Sequence, residues 1–223
     1  AYLLDTDEDV NVMTLGSVYI TQNEQEYNEA GELVPFTQDK PLYPAYYEDG
    51  ETDLDKITGE IDKYVSVENT GASDAYVRTV FAFEGTEIDD IIHLIKNETE
   101  WDWEPLDTPI TIGGVDYTIL VATYPEALAA GDTTPYSLMN LYMDKKAGND
   151  DVAAYGNTYD VLVQSQAVQT ASGCGPVLLV GGDLHPQVLI VVAALQIDGE
   201  QLRGGAAAVI IGAAPAVLDE PCT

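Results

Sequence analysis

Asp5, Asp7 and Asp9 alternate along the opening DTDEDVN of the chain, and they are the first residues whose type and spacing could do chemistry. Carboxylates at alternate positions suit a hard divalent cation, and an EF-hand calcium loop begins this way. That loop needs Gly at its sixth position and Glu at its twelfth, where this chain has Val10 and Gly16. The expectation is a solvated acidic face, with weak Ca2+ binding outside the EF-hand pattern as the alternative. No cofactor and no resident metal are expected.

The nucleophiles and bases are just as sparse. His93 is followed by Leu-Ile-Lys-Asn-Glu, which is not the HExxH of a zinc protease, and His185 stands far away in the chain. Asp89-Asp90 is an adjacent pair of the kind that 39 acids produce by chance, and it suits the first turn of a helix. Ser73 lies in GASDAY, a turn sequence and not the G-x-S-x-G of a nucleophile elbow. Gly113-Gly114 and Gly204-Gly205 read as turn glycines. No catalytic residue emerges, and the chain is not expected to be an enzyme. Cys174 and Cys222 form no CxxC. In a secreted protein a disulfide between them would close a loop of about 50 residues, worth about 4 kcal/mol by chain entropy, and two buried thiols are the alternative. Trp101 and Trp103 with Tyr43, Tyr46 and Tyr47 could stack on sugars, against core filling as the commoner use. Arg78, mid-strand in an acidic chain, is expected to pair with a carboxylate.

The 223 residues include 39 Asp+Glu against 8 Lys+Arg, a formal net charge of −31. Such a chain is repelled by nucleic-acid phosphates and by anionic lipid surfaces. Self-association must then rest on directional or apolar contacts, helped by salt or divalent cations. No run of 18 apolar residues exists; Val188 to Ile197 is the longest candidate and includes Gln196, so no membrane insertion is expected. Ala1 opens on a polar-apolar mixture without a leader pattern, which reads as the mature N-terminus of a secreted, extracellular protein. Composition breaks near Thr170–Gly175: all 19 aromatics and 34 of the acids precede it, while residues 172–223 are Val, Leu, Ile, Ala and Gly with only Arg203 as a base.

Positioning falls to strands. VNVMTLGSVYITQ alternates apolar residues with a break at Gly16, a strand with a bulge or bend. Residues 21–62 are acidic and Tyr-rich, an excursion with short strands at most. Tyr64–Val67 and Ala75–Phe83 flank Asn69-Thr70-Gly71 in a hairpin-like arrangement. Ile110–Val121 predicts a hairpin across Gly113-Gly114. Residues 86–97 and 136–147 read as short helices, and Tyr159–Val168 as a returning strand. The fold class is all-β, a jelly-roll-like β-sandwich with short helical excursions. The organisation is 1–20 as an N-terminal strand segment, 21–171 as the core with a long loop over 21–62, and 172–223 as an apolar, aromatic-free extension. Within that extension, strands are expected at roughly 176–180, 187–197 and 206–213, packing on the sandwich or decorating a fibre.

The order of four stretches resembles the TasA/camelysin family of secreted bacterial biofilm-matrix proteins: AYLLDTDEDVNVMTLGSVYI, VSVENTGASDAYVRTVFAFE, YPEALAAGDTTPYSL and VLVQSQAVQT. The resemblance covers about residues 1–171, and the extension departs from it. It implies an extracellular filament of jelly-roll subunits, each giving its N-terminal strand to the next. The donor would be about 1–12, with Ala1, Tyr2, Leu3, Leu4, Val10 and Val12 as its assembly residues. An intramolecular edge strand is the alternative. The partner is then the chain itself, with accessory matrix proteins or glycans as additional partners. A monomeric cell-surface adhesin or carbohydrate-binding sandwich is the second expectation, and a camelysin-like metalloprotease the third.

Overall fold

The computed structural model describes residues 5–7, 10–15, 18–37, 40–49, 51, 56–155 and 158–170, with side chains described from Val18 onward. Ala1–Leu4, Asp9, both cysteines, His185 and the whole extension lie outside the described residues, as does the expected disulfide.

Thirteen strands and one short helix follow in chain order among these residues. They are β1 (Asp5–Asp7), β2 (Val10–Leu15), β3 (Val18–Tyr27), β4 (Leu33–Pro35), β5 (Ile61–Asp62), β6 (Tyr64–Asn69), β7 (Ala75–Glu84), β8 (Ile92–Lys96), β9 (Asp102–Pro105), β10 (Ile110–Ile112), β11 (Val115–Thr123), β12 (Leu138–Met143), α1 (Asn149–Ala154) and β13 (Val161–Gln169). Strands pair antiparallel throughout the ladders.

The protein is an all-β sandwich. In its first layer β3 is central: β2 covers one edge over Val18–Thr21, β4 continues that edge over Gln25–Tyr27, and β6 fills the opposite edge. The far edge of β6 is closed by the stretch 132–137 running into β12. Thr134 N–H donates to Val67 O (2.9 Å) and Ser137 N–H to Val65 O (2.8 Å). β12 then pairs with β5 and β8. In the second layer β11 and β7 are central, with β9 and β10 on the outer edge of β11 and β13 on the outer edge of β7. Phe81 and Phe83 of β7 stack at 5.7 Å between the layers, wholly buried with Val65 and Val67 of β6 and Leu138 of β12. Burying each such side chain stabilises the fold by about 1.5–3 kcal/mol relative to leaving it in water.

The expected strands 64–67, 75–83 and 159–168 are present, and so is the Gly-Gly hairpin. Ile112 faces Val115 across Gly113 (φ +59°) and Gly114 (φ +89°), the two positive φ values of a type I′ turn. Four expectations are corrected. β2 and β3 are two antiparallel strands with Leu15 facing Val18, not one strand with a bulge; a two-residue connection beginning with Gly is itself a hairpin signature. β3 runs on to Tyr27, so the excursion begins later than residue 21. Asn69-Thr70-Gly71 joins strands of different layers, because β6 pairs with β3 while β7 pairs with β11 and β13. Here wholly buried Asn69 takes the place of a hairpin ladder, its amide donating to Ser73 O (2.9 Å) and Leu128 O (3.0 Å).

The fourth correction concerns helices. Residues 92–96 and 138–143 are strands β8 and β12, and the one described helix is α1, at 149–154. Ile92 and Leu94 are buried while His93 and Ile95 are half-buried, so the period is two. Ile-rich runs satisfy both templates over one or two turns, and β-branching favours the strand.

Candidate assembly site

Strand β2 of the N-terminal hairpin lies at the seam between the two layers. β2 is hydrogen-bonded to the edge of β3 and also runs within 8 Å, Cα to Cα, of β13, the edge strand of the second layer. Thr170 N–H donates to Asp74 O (3.0 Å), continuing the β7–β13 register. By the alternation of an antiparallel ladder, Val161, Val163, Ser165 and Ala167 therefore turn their backbone N–H and C=O away from β7, toward this seam. One of these outward carbonyls has a described partner: Val163 O accepts from the Gln22 amide (3.3 Å).

Beneath the hairpin a buried polar chain ties the layers together. Ser165 Oγ donates to Gln22 Oε1 (2.9 Å), and Thr79 Oγ1 lies 2.9 Å from Ser165 Oγ. All three residues are buried, so these bonds offset desolvation that would otherwise oppose packing there. Gln22 also donates to Glu24 Oε1 (2.7 Å). The sequence offered one signal for this chain: Gln22 falls on the inward parity of Val18 and Ile20, where a polar residue in a strand needs a partner.

Of the predicted assembly residues, Val10 and Val12 lie in β2, with Val12 facing Thr21 of β3. Asp5 and Asp7 of the predicted cation group lie in β1, facing Val12 and Val10. Their side chains, with Ala1, Tyr2, Leu3, Leu4 and Asp9, are outside what is described.

The remaining candidates are dispersed. His93 Nε2 lies 2.8 Å from Asp144 Oδ2, and its ring stacks on Tyr142 at 5.0 Å. Burial pushes the Asp144 carboxyl up, but hydrogen bonds from the Lys146 N–H, His93 and Tyr47 outweigh it and hold it below the ordinary carboxylate value. Among the described residues no three His, Cys, Asp or Glu side chains converge as a metal site. Trp101 is buried and donates to Pro135 O (3.2 Å); Trp103 stacks on Phe81 at 5.1 Å. Both are core groups, while Tyr43 and Tyr46 are 57% and 71% exposed. Asp90 is in an ion pair with Lys146 (2.6 Å), and Lys145 pairs with Asp49. The lysines thus tie loops to each other.

At Arg78 the described partner is an amide where a carboxylate was expected. Arg78 is buried, and its Nε donates to the neutral Gln166 Oε1 (2.7 Å) across β7–β13. Burial pulls its pKa down to about 10, so the group remains a cation at neutral pH. Among the described residues no carboxylate is paired with it.

No protein-family model, no curated protein and no solved structure matches this chain.

Proposed function

We propose that this chain is a structural subunit of an extracellular bacterial filament or biofilm-matrix fibre, non-catalytic, with a jelly-roll body that polymerises head-to-tail by donating its N-terminal strand. The observation that carries the reading is the place of β2 in the seam, bonded to β3 and beside the outward groups of β13. Lifting the hairpin away frees the edge of β3 that β2 pairs and opens the space beside β13. Unpaired edges template further strands, and a neighbour's N-terminal segment restores the same main-chain bonds by β-augmentation. Such an exchange is nearly neutral in contacts, and a head-to-tail contact that does not close on itself propagates. The resemblance of residues 1–171 to the TasA/camelysin proteins points the same way.

A peptide of residues 1–15 added to the chain lacking residues 1–12 tests this. The expected result is saturable binding that raises the melting temperature of the truncated chain. A well-folded truncated chain that ignores the peptide contradicts strand donation. A second reading, a sugar-binding surface, is favoured by exposed Tyr43 and Tyr46. It predicts glycan binding that Tyr46→Ala abolishes in a chain that remains monomeric.

A further inference from the structure

The second layer is apolar on both of its faces. One face makes the core between the layers; the other carries Val80, Ala82, Ile112, Tyr117, Ile119 and Val121. These outer-face side chains are 1–7% exposed. Yet the other described apolar residues against them, Leu106, Ile110 and Leu162, belong to the same sheet or directly follow β9. Among the described residues there is no apolar side chain of another layer in this cluster. Every residue of β7 from Val77 to Phe83 is buried, as in a strand covered on both sides. A sheet with two apolar faces needs a third layer.

We infer that residues 172–223 of the same chain dock on this outer face as that third layer. Three observations carry the assignment, and none rests on filament formation. The last described residue, Thr170, follows β13 and so stands at the border of the sheet to be covered. The segment is long enough: VLIVVAALQI (188–197) and AAAVIIGA (206–213) compare in length with the 9 and 10 residues of β11 and β7, and PVLLV (176–180) adds a shorter apolar run. Its chemistry matches: it has no aromatic and five of the chain's 39 acids, whereas residues 1–171 carry a net −27 (7 bases minus 34 acids) and would repel a second copy of themselves.

Photocrosslinking in the full chain tests the assignment. p-Benzoylphenylalanine replaces Leu162, which borders the face and is only partly buried. The expected products are intramolecular crosslinks to residues 172–223, unchanged on dilution. Crosslinks between two chains, crosslinks to residues 1–17, or no crosslinks overturn the assignment. If the probe prevents folding, carbene footprinting compares the unaltered chain with the full-length variant Ile190→Asp/Val192→Asp. Labelling of Val80, Ile119 and Val121 should rise severalfold in the variant, and unchanged labelling overturns the assignment.

Discussion

Ser165 sits where two layers and two hydrogen bonds meet, so its removal has a calculable cost. Ser165→Ala strands the buried Gln22 Oε1 and leaves Thr79 without its partner. The expected loss is roughly 1–3 kcal/mol, the cost of an unsatisfied buried polar group, read by urea denaturation. Gly85 predicts a steric effect instead. Its φ is +84°, and an added Cβ would lie 2.7 Å from the Tyr155 ring and hydroxyl. Gly85→Ala should therefore destabilise by about 1–3 kcal/mol, and Tyr155→Ala in the same chain should recover part of the steric share. Glu26 gives a pH dependence. Burial pushes its carboxyl up, but Lys40 and Thr37 outweigh burial and hold it below the ordinary 4.5. A depressed folded value means stability that is present above 4.5 and is lost as pH falls through the lowered value. The melting-temperature gap between the native chain and Glu26→Gln should be open at about pH 7 and close toward about pH 3. A gap independent of pH contradicts the pairing. Residue-level chemistry was only partly legible. The position of Arg78 could be read from its mid-strand place, but its partner could not, because Gln166 lies 88 positions away and a neutral amide is no more conspicuous than any other.

Elements were legible where pattern and turn chemistry agreed. Ala75, Val77, Phe81 and Phe83 share one parity along β7, and Gly113-Gly114 requires the left-handed backbone that only Gly adopts freely. Gly114→Ala should cost about 1 kcal/mol by straining that turn, and hydrogen exchange at β10 and the start of β11 should accelerate while β3 and β6 stay protected. Uniform acceleration would mean the hairpin is not an independent unit. Reading failed where a short apolar run suits both periods. Ile91, Ile92 and Ile95 suit a helical stripe as well as a strand edge, and only pairing with β12 decides. It failed again at Asn69, because a turn between layers and a hairpin turn share their Asn and Gly. The outer apolar face of β7 and β11 was hidden for the same reason. Alternation along one strand does not say which parity faces another layer, and when both are apolar the strand reads simply as buried.

For the whole molecule, the net charge of −31 sets the conditions of assembly. Subunits repel at long range, while strand pairing acts only on contact. Raising ionic strength from roughly 0.01 M to about 0.15 M shortens the screening length from about 30 Å to about 8 Å. Polymerisation followed by light scattering should therefore accelerate with salt, and faster assembly at low salt would point to charge-driven contacts instead. Strand donation itself is tested most directly by electron microscopy of the full chain beside the chain lacking residues 1–12. Fibres of uniform width in the first sample and only particles in the second are the predicted result. Fibres in both would contradict donation by this strand, and particles in both would contradict the filament itself.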